Sequence, residues 1–211
     1  MIDSRRFFYR AATLLAILLT ASLQGCGSSP PASFYTLSPS PLTPIGSAFD
    51  GGITIGPIDM PDYLNRPQIV TRGEGSELKL AEFDRWAESL EDSFQRMLTT
   101  NIRALLGSNE IVEYPSKQKF GLHYHVVARI QRFDTDNRGN AVLEVKWGIL
   151  DSNGDRVAPL ASGRFESQAS NANDYNQIVA AMDDTVSQLS VAIARNLIEV
   201  QNESERSAEL E

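Results

Sequence analysis

Residues 122–168 read LHYHVVARIQRFDTDNRGNAVLEVKWGILDSNGDRVAPLASGRFESQ, and they set the architecture of the chain. Three runs within them are separated by polar residues: Leu122–Phe133, Asn140–Leu150 and Arg156–Gln168. The first two are rich in β-branched and aromatic residues. Runs of this composition between polar turns are typical of strands. Asn153-Gly154 stands between the last two runs and suits a tight hairpin. The stretch therefore predicts an antiparallel meander.

The flanking segments predict more strands and two helices. Short strand patterns occur at Ser33–Leu37, Ile53–Ile58, Gln68–Thr71, Glu77–Leu80 and Ile111–Tyr114. Apolar residues three and four apart predict a helix from about Ala87 to Leu106, with Gly107 as its C-terminal stop. Its buried positions are Leu90, Phe94, Leu98, Ile102 and Leu105. A second helix is predicted from about Asp174 to Val200, with its buried stripe at Ile178, Met182, Thr185, Leu189, Ala192 or Ile193, Asn196 or Leu197, and Val200. The order of elements predicts an α+β fold, with a largely antiparallel sheet and the two main helices packed on one face.

No constellation of residues indicates catalysis or metal binding. His123 and His125 share a face of a predicted strand, but zinc needs three or four ligands, and we interpret both histidines as polar surface residues. The segment Asp134–Gly139 has a hint of a calcium loop, yet Arg138 stands where an oxygen ligand is required, so it is interpreted as a polar turn. The sequence therefore predicts no enzyme activity, no cofactor and no metal site.

The N-terminus predicts a lipoprotein signal. Arg5, Arg6 and Arg10 precede an apolar run, Ala11–Leu23, which is shorter than the roughly 20 residues that span a bilayer and is typical of a signal peptide. The run ends in Leu23-Gln24-Gly25-Cys26, which resembles a lipobox and contains the only cysteine of the chain. A lone thiol in an exported protein has no disulfide partner, whereas an acylated cysteine anchors the chain stably. We predict a signal peptide at 1–25, an acylated tether at 26–32 with Cys26 lipidated, one domain at 33–200 and a charged, disordered tail at 201–211.

The composition limits the partners. The chain has 19 Lys+Arg and 27 Asp+Glu, a net charge of −8, and removal of the basic leader makes it more acidic still. This charge argues against a nucleic-acid partner, which would require a basic face. It also argues against electrostatic binding to anionic headgroups, so the acyl chains are the predicted membrane contact.

Two segments contain residues that could serve a function besides folding. The first, DMPDYLNRPQIVTR at 59–72, is bounded by prolines and carries Tyr63, Leu64 and Arg66. The second, EFDRWAESL at 82–90, places Trp86 at the predicted mouth of a helix. Both segments can be purely structural, with Trp86 packed on the edge of the core and the arginines paired with carboxylates.

Together these features resemble the ABC-type transport auxiliary lipoprotein family. The resemblance is carried by the lipobox, FYTL at 34–37, PDYLNRPQIVTR at 61–72 and RWAESL at 85–90, in that order. It implies a PqiC-like, non-enzymatic lipoprotein subunit of a lipid-transport machine built around an MCE (mammalian cell entry) protein. It further implies a homo-oligomer that meets a periplasmic MCE-type protein at the outer membrane. Under this resemblance Tyr63, Leu64, Arg66 and Trp86 become candidates for a partner interface, because Tyr, Trp and Arg dominate binding hot spots.

Localisation and alternative functions follow from the same reasoning. Gly27, where Asp would resemble an inner-membrane retention signal, favours the outer membrane of a double-membraned host. The alternative function is a periplasmic lipoprotein that binds lipid or a small ligand and acts as the carrier, which requires an apolar cavity. A third possibility is a structural envelope lipoprotein that ties layers together.

Overall fold

The computed structural model of the protein describes residues 30–46, 49–116 and 121–209, together with Thr13. Contacts divide the chain into Met1–Pro31 and Ala32–Glu211, and the elements named here belong to the second unit. The strands are β1 (Ser33–Tyr35), β2 (Gly52–Asp59), β3 (Gln68–Arg72), β4 (Leu78–Trp86), β5 (Ile111–Glu113), β6 (Leu122–Thr135), β7 (Asn140–Asp151) and β8 (Ala161–Gln168). The helices are α1 (Leu90–Leu106) and α2 (Tyr175–Ala208), and one turn of 3-10 helix spans Asp62–Leu64.

The sheet is organised around β6. Its longest pairings are antiparallel: β6 pairs with β7 along almost its whole length, and β7 pairs with β8. On the other side of β6, the first half pairs in parallel with β2, and Thr135 at its end lies opposite Thr71 of β3. The sheet then continues from β2 to β5 and from β3 through β4 to β1. The predicted α+β fold with a largely antiparallel sheet is confirmed.

The parallel pairings were not predicted, and the chain connectivity explains them. Strands β2 and β5 run parallel, and α1 lies between them in sequence. A parallel pair needs a long crossover, and a helix is its usual form. The short strand pattern at Ile111–Tyr114 contains no information on the direction of its partner.

Both helices match their predicted patterns. The side chain of Ser89 caps α1 by accepting from the Asp92 N–H, and Gly107 ends it with a left-handed φ of 60°. All five predicted α1 positions are buried. In α2 the stripe passes through Ile193 and Leu197 rather than Ala192 and Asn196. Phe94 of α1 packs edge to face on Phe133 of β6, with 5.3 Å between the ring centroids. This contact joins helix α1 to the sheet within the core.

A bulge in β6 decides which residues face the helices. Val126 and Ala128 are buried before it, and Phe133 and Thr135 after it. The register with β7 shifts between Ile130 and Arg132, and one extra residue reverses the alternation of faces. As a result Arg132 and Asp134 lie on the face of the sheet opposite Phe133.

Several boundaries differ from the sequence prediction, most of all that of β4, which ends at Trp86 rather than Leu80. Helix α1 begins at Leu90 rather than Ala87, because Trp86 still belongs to β4 and its N–H donates to Pro67 O at 2.7 Å. Strand β8 begins at Ala161 rather than Arg156, because Pro159 lacks an N–H and only one bridge, Leu150–Arg156, forms before it.

The predicted disordered tail also differs, because α2 continues to Ala208. The segment after Val200 contains no glycine or proline, and the Gln201 side chain donates to Glu205 one turn later. Such pairs four residues apart support an exposed helix. Among the described residues, no helix is both long and apolar enough to cross a bilayer. Apart from Thr13, the predicted signal peptide lies outside the described residues, as does the predicted lipidation site Cys26.

Candidate partner-binding site

The structure brings the two conspicuous sequence segments together. The 3-10 turn Asp62–Leu64 leads into Arg66 and Pro67, and the next residues form β3. Strand β3 is antiparallel to β4, with Gln68 opposite Arg85. The hydrogen bond from Trp86 N–H to Pro67 O then joins the two segments directly. We call residues 61–67 the β2–β3 loop.

The β2–β3 loop is anchored on a buried carboxylate. Asp134 is 0% exposed, and its carboxylate accepts hydrogen bonds from three side chains. Tyr63 Oη donates to its Oδ2 at 3.1 Å, Arg72 Nε to both oxygens at 2.9 Å, and Arg132 Nε to Oδ1 at 2.8 Å. The Arg72 guanidinium also lies 5.9 Å from the centroid of the Tyr63 ring. This Asp134 cluster ties the loop to the end of β6.

The charges in the cluster explain how one carboxylate can be fully buried. A buried ion is costly unless it is paired and its lone pairs are satisfied. Two arginines neutralise Asp134, and both reach solvent, with side chains 28% (Arg72) and 19% (Arg132) exposed. The cluster therefore has one anion against two cations, and the excess positive charge lies on its outer side.

Two donors of the cluster, Tyr63 and Arg72, have raised pKa values. Burial raises the pKa of Tyr63, and the charge and hydrogen bond of Asp134 raise it further, so the phenol remains a donor. For Arg72, burial acts to lower the pKa, but the hydrogen bond and charge of Asp134 outweigh it and the pKa is raised. Tyr63 and Arg72 therefore both keep the protons that they donate near neutral pH.

A cavity of about 340 Å³ opens between the β2–β3 loop and the start of α1. Arg66, Pro67 and Trp86 line one side, and Glu88 and Ser89 line the other. Arg66 is half-buried, and its Nε is buried without a hydrogen-bond partner in the part of the chain that the structure describes. The half-buried Arg66 side chain lines this concave surface, and its exposed part is what it can offer to a partner.

Glu88, which also lines this cavity, is fixed by two hydrogen bonds. Its carboxylate accepts from Arg96 and, at 2.8 Å, from the Thr36 hydroxyl. These two hydrogen bonds, that from Arg96 first, lower the pKa of Glu88. Thr36 directly follows β1, so the bond links the start of the domain to the mouth of α1. The cavity thus has charged groups of both signs at its rim.

The four predicted interface residues fall into two pairs. Tyr63 and Arg66 are partly exposed, Tyr63 being held by Asp134 and Arg66 lining the cavity. Leu64 and Trp86 are buried in the core, and for Trp86 this agrees with the structural explanation of its segment. Leu64 and Trp86 can therefore shape the loop from within, while only Tyr63 and Arg66 offer surface to a partner.

The Asp134 cluster was not predicted from the sequence. Asp134 was assigned to a polar turn, but it belongs to β6, and the turn is Asp136–Gly139, where Asp136 Oδ1 accepts from the N–H groups of Arg138 and Asn140. The available signal was Arg132 two residues before Asp134, which places both side chains on one face of a strand. His123 is exposed and His125 half-buried on β6. Within residues 30–46, 49–116 and 121–209, no three His, Cys, Asp or Glu side chains are grouped so as to hold a metal ion.

Comparison with known sequences identifies the class of protein. The sequence model of the family described as "ABC-type transport auxiliary lipoprotein component" matches residues 35–194. The chain therefore belongs to the ABC-type transport auxiliary lipoprotein family, as the resemblance of its motifs implied. No curated protein matches the chain.

Solved structures share the fold. Protein XCC0632 from Xanthomonas campestris, assigned to the family DUF330, is 20% identical with a TM-score of 0.67, and the alignment covers 82% of this chain and 99% of that one. A crystal structure of an uncharacterized protein is 18% identical with a TM-score of 0.66 and covers 80% and 99% of the two chains. At these identities the likeness establishes the fold alone. Membership of the family gives the protein a role as a transport-associated lipoprotein, and a lipoprotein is associated with a membrane.

Proposed function

We propose that this chain is a non-enzymatic lipoprotein subunit of an MCE/ABC-type intermembrane lipid-transport system that supports envelope integrity. The observation that carries the proposal is the family match across residues 35–194, which covers most of the unit Ala32–Glu211. In this proposal acylated Cys26 anchors the chain in the outer membrane, facing the periplasm. The lipobox-like LQGC and Gly27 support that location.

The β2–β3 loop is the proposed contact with an MCE-type periplasmic protein. Tyr63 and Arg66 would form the contact, and Leu64 and Trp86 would hold the loop in position from the core. Asp134 supports this role because it fixes the loop through Tyr63 before any partner binds. A rigid loop loses little conformational entropy on binding. The resemblance also implies that several copies of the chain assemble with the partner.

Purification from membranes tests this proposal. The full chain, tagged at its C-terminus, would be extracted with a mild detergent, and the proteins that accompany it would be identified by mass spectrometry. We expect an MCE-type protein with the wild-type chain, less of it with Arg66→Ala, and an undiminished amount with Arg138→Ala. Arg138 is an exposed arginine in the turn after β6, so it is a matched control. Absence of any MCE-type protein from the wild-type eluate contradicts the proposal.

The membrane anchor has its own test in the same system. Cys26→Ala removes the thiol that would be acylated, so we expect the variant to leave the outer-membrane fraction. An unchanged distribution between the membrane fractions contradicts lipidation at Cys26. The carrier alternative predicts instead that the purified chain retains lipid and lacks the MCE-type protein.

A further inference from the structure

The face of the sheet away from the helices contains one apolar row among ion-paired side chains. Near the bulge Arg132 pairs with Asp134, and on β8 Arg164 pairs with both Glu144 and Glu166. On the other side of the bulge, Val127 of β6 lies opposite Gly148 of β7 in register. This pair of residues is apolar and uncharged, and Gly148 has no side chain.

Glycine and leucine shape this row into a groove. A Cβ on Gly148 would lie 3.6 Å from Leu160 Cδ1 and 3.8 Å from Val127 Cγ2, so the missing side chain leaves space that both neighbours border. Leu160 is 58% exposed although it is large and apolar. Pro57 of β2 completes the apolar floor. The open groove has a volume of about 320 Å³, which lies at the lower end of the range of ligand pockets.

The neighbouring row of the same face is basic. Arg129 of β6 and Lys146 of β7 are register partners, and like charges directly opposite each other destabilise a sheet. Asp59 pairs with Arg129 at 2.7 Å. Lys146 is exposed and has no hydrogen bond or ion pair within the described ranges. In a chain with a net charge of −8, this leaves one uncompensated cation at the rim of an apolar groove.

We propose that this groove binds one acyl chain of an anionic phospholipid, with the lipid phosphate against Lys146 and Arg129. The apolar floor of Pro57, Val127 and Leu160 suits a hydrocarbon chain, and the adjoining cations suit a phosphate. The proposal rests on the proposed function, because a lipid-transport subunit meets phospholipid in its normal work. It adds to that function a direct contact between this subunit and the transported class of molecule.

Photocrosslinking of the full chain in living cells tests the groove. A photoreactive phenylalanine analogue would replace Leu160, whose exposure makes the change tolerable for folding. The control carries it at Glu166, an exposed position on the same strand as Arg164. Cells would be labelled with ³²P-phosphate, irradiated, and the tagged chain isolated under denaturing conditions. The diacylglycerol of a lipoprotein anchor contains no phosphorus, so ³²P on the protein reports a phospholipid and not the chain's own anchor.

The expected result is a ³²P-labelled adduct at Leu160 and little at Glu166. Lys146→Glu is expected to reduce labelling at Leu160 at least about tenfold, because it removes one charged contact and places a negative charge beside the phosphate. Gly148→Val is expected to reduce labelling by filling the groove. Lys79→Glu makes the same charge change at an exposed site and should leave labelling unchanged. Thermal unfolding of each variant confirms that it is folded.

Three outcomes overturn the proposal. These are equal labelling at Leu160 and Glu166, a crosslink to a protein without ³²P, and labelling that is insensitive to both Lys146→Glu and Gly148→Val. Copurification separates this proposal from the proposed function. If the MCE-type protein accompanies the chain and Leu160 acquires no ³²P, the groove proposal fails alone. If Leu160 is labelled and no MCE-type protein is found, the groove stands and the proposed function fails.

Discussion

The two faces of the sheet bury side chains by different means. On the helix side, Phe133 is covered by Phe94 and other apolar residues of α1 and α2. On the other side, Asp134, the next residue in the chain, is just as buried but is charged. Apolar contacts are non-directional, so the first face needs volume and shape. The second face needs specific donors at specific distances, and it therefore fixes the position of the β2–β3 loop.

The largest expected effect is on the helix side. Phe94→Ala removes a fully buried ring and its edge-to-face contact with Phe133, and we expect it to lower the free energy of unfolding by about 3–5 kcal/mol. Thermal or urea unfolding of the full chain in mild detergent measures this. Leu80→Ala, at an exposed leucine of β4, is the control and should change stability by less than about 1 kcal/mol. Equal losses for the two variants would contradict the assignment of the core.

On the other side, Asp134→Asn removes the charge and keeps the shape. The variant leaves Arg72 and Arg132 without their anion, and we expect a loss of about 2–3 kcal/mol, below that of a fully buried pair because both arginines reach solvent. We also expect faster proteolysis within the β2–β3 loop. Without the ion pairs to Arg72 and Arg132, the side chain that accepts the hydrogen bond from Tyr63 is no longer held in place. Limited proteolysis followed by mass spectrometry locates the cleavage. A stable variant with an unchanged cleavage pattern would contradict the role of Asp134 in holding the loop.

The same contrast explains what the sequence could predict. The buried stripe of α1 and the strands of the meander follow from periodicity, because apolar burial leaves a pattern that repeats along one element. The Asp134 cluster joins Tyr63, Arg72, Arg132 and Asp134 from the β2–β3 loop, β3 and β6, and no local period marks a contact between elements. The bulge that turns Asp134 outward is also invisible in the strand pattern of β6. The motif resemblance identified the β2–β3 loop and Trp86, but the separation of exposed Tyr63 and Arg66 from buried Leu64 and Trp86 needed the structure.

Another carboxylate sharpens the comparison, because among the described residues it has a backbone N–H as partner but no cation. Asp183 on α2 is half-buried, and this burial raises its pKa to about 7, while the Ser38 N–H donates to it at 3.1 Å. The native state therefore holds a proton that the unfolded chain releases at lower pH, so stability falls as the pH rises from about 4 to 7. Asp183→Asn should remove this fall and stabilise the chain at pH 8 by about 1–2 kcal/mol. This free energy is well below what the whole pKa shift would give, because water still reaches the side chain and screens its charge.

Urea unfolding at pH 4 and pH 8 measures the effect of Asp183. The matched control is Asp184→Asn at the neighbouring exposed position, which should keep the wild-type pH dependence. If the wild-type chain and Asp183→Asn lose the same stability between the two pH values, the pKa of Asp183 is not raised in the native state. Its burial then causes none of the pH dependence.

The smallest effect is expected where the charges of the outer face remain in water. Arg164 pairs with Glu144 and Glu166, but its side chain is 48% exposed and the two carboxylates 35% and 45%. Exposed pairs gain little Coulomb energy, lose side-chain entropy and are screened by salt. We expect Arg164→Ala to cost about 0.5 kcal/mol and Arg132→Ala, on the same face, about 2 kcal/mol, because Arg132 neutralises a fully buried anion. In 1 M NaCl the cost of Arg164→Ala should vanish and that of Arg132→Ala should persist. If salt also removes the loss of stability in Arg132→Ala, water reaches Asp134. The outer face would then contain no fully buried ion pair, and it would differ less from the helix side than the structure indicates.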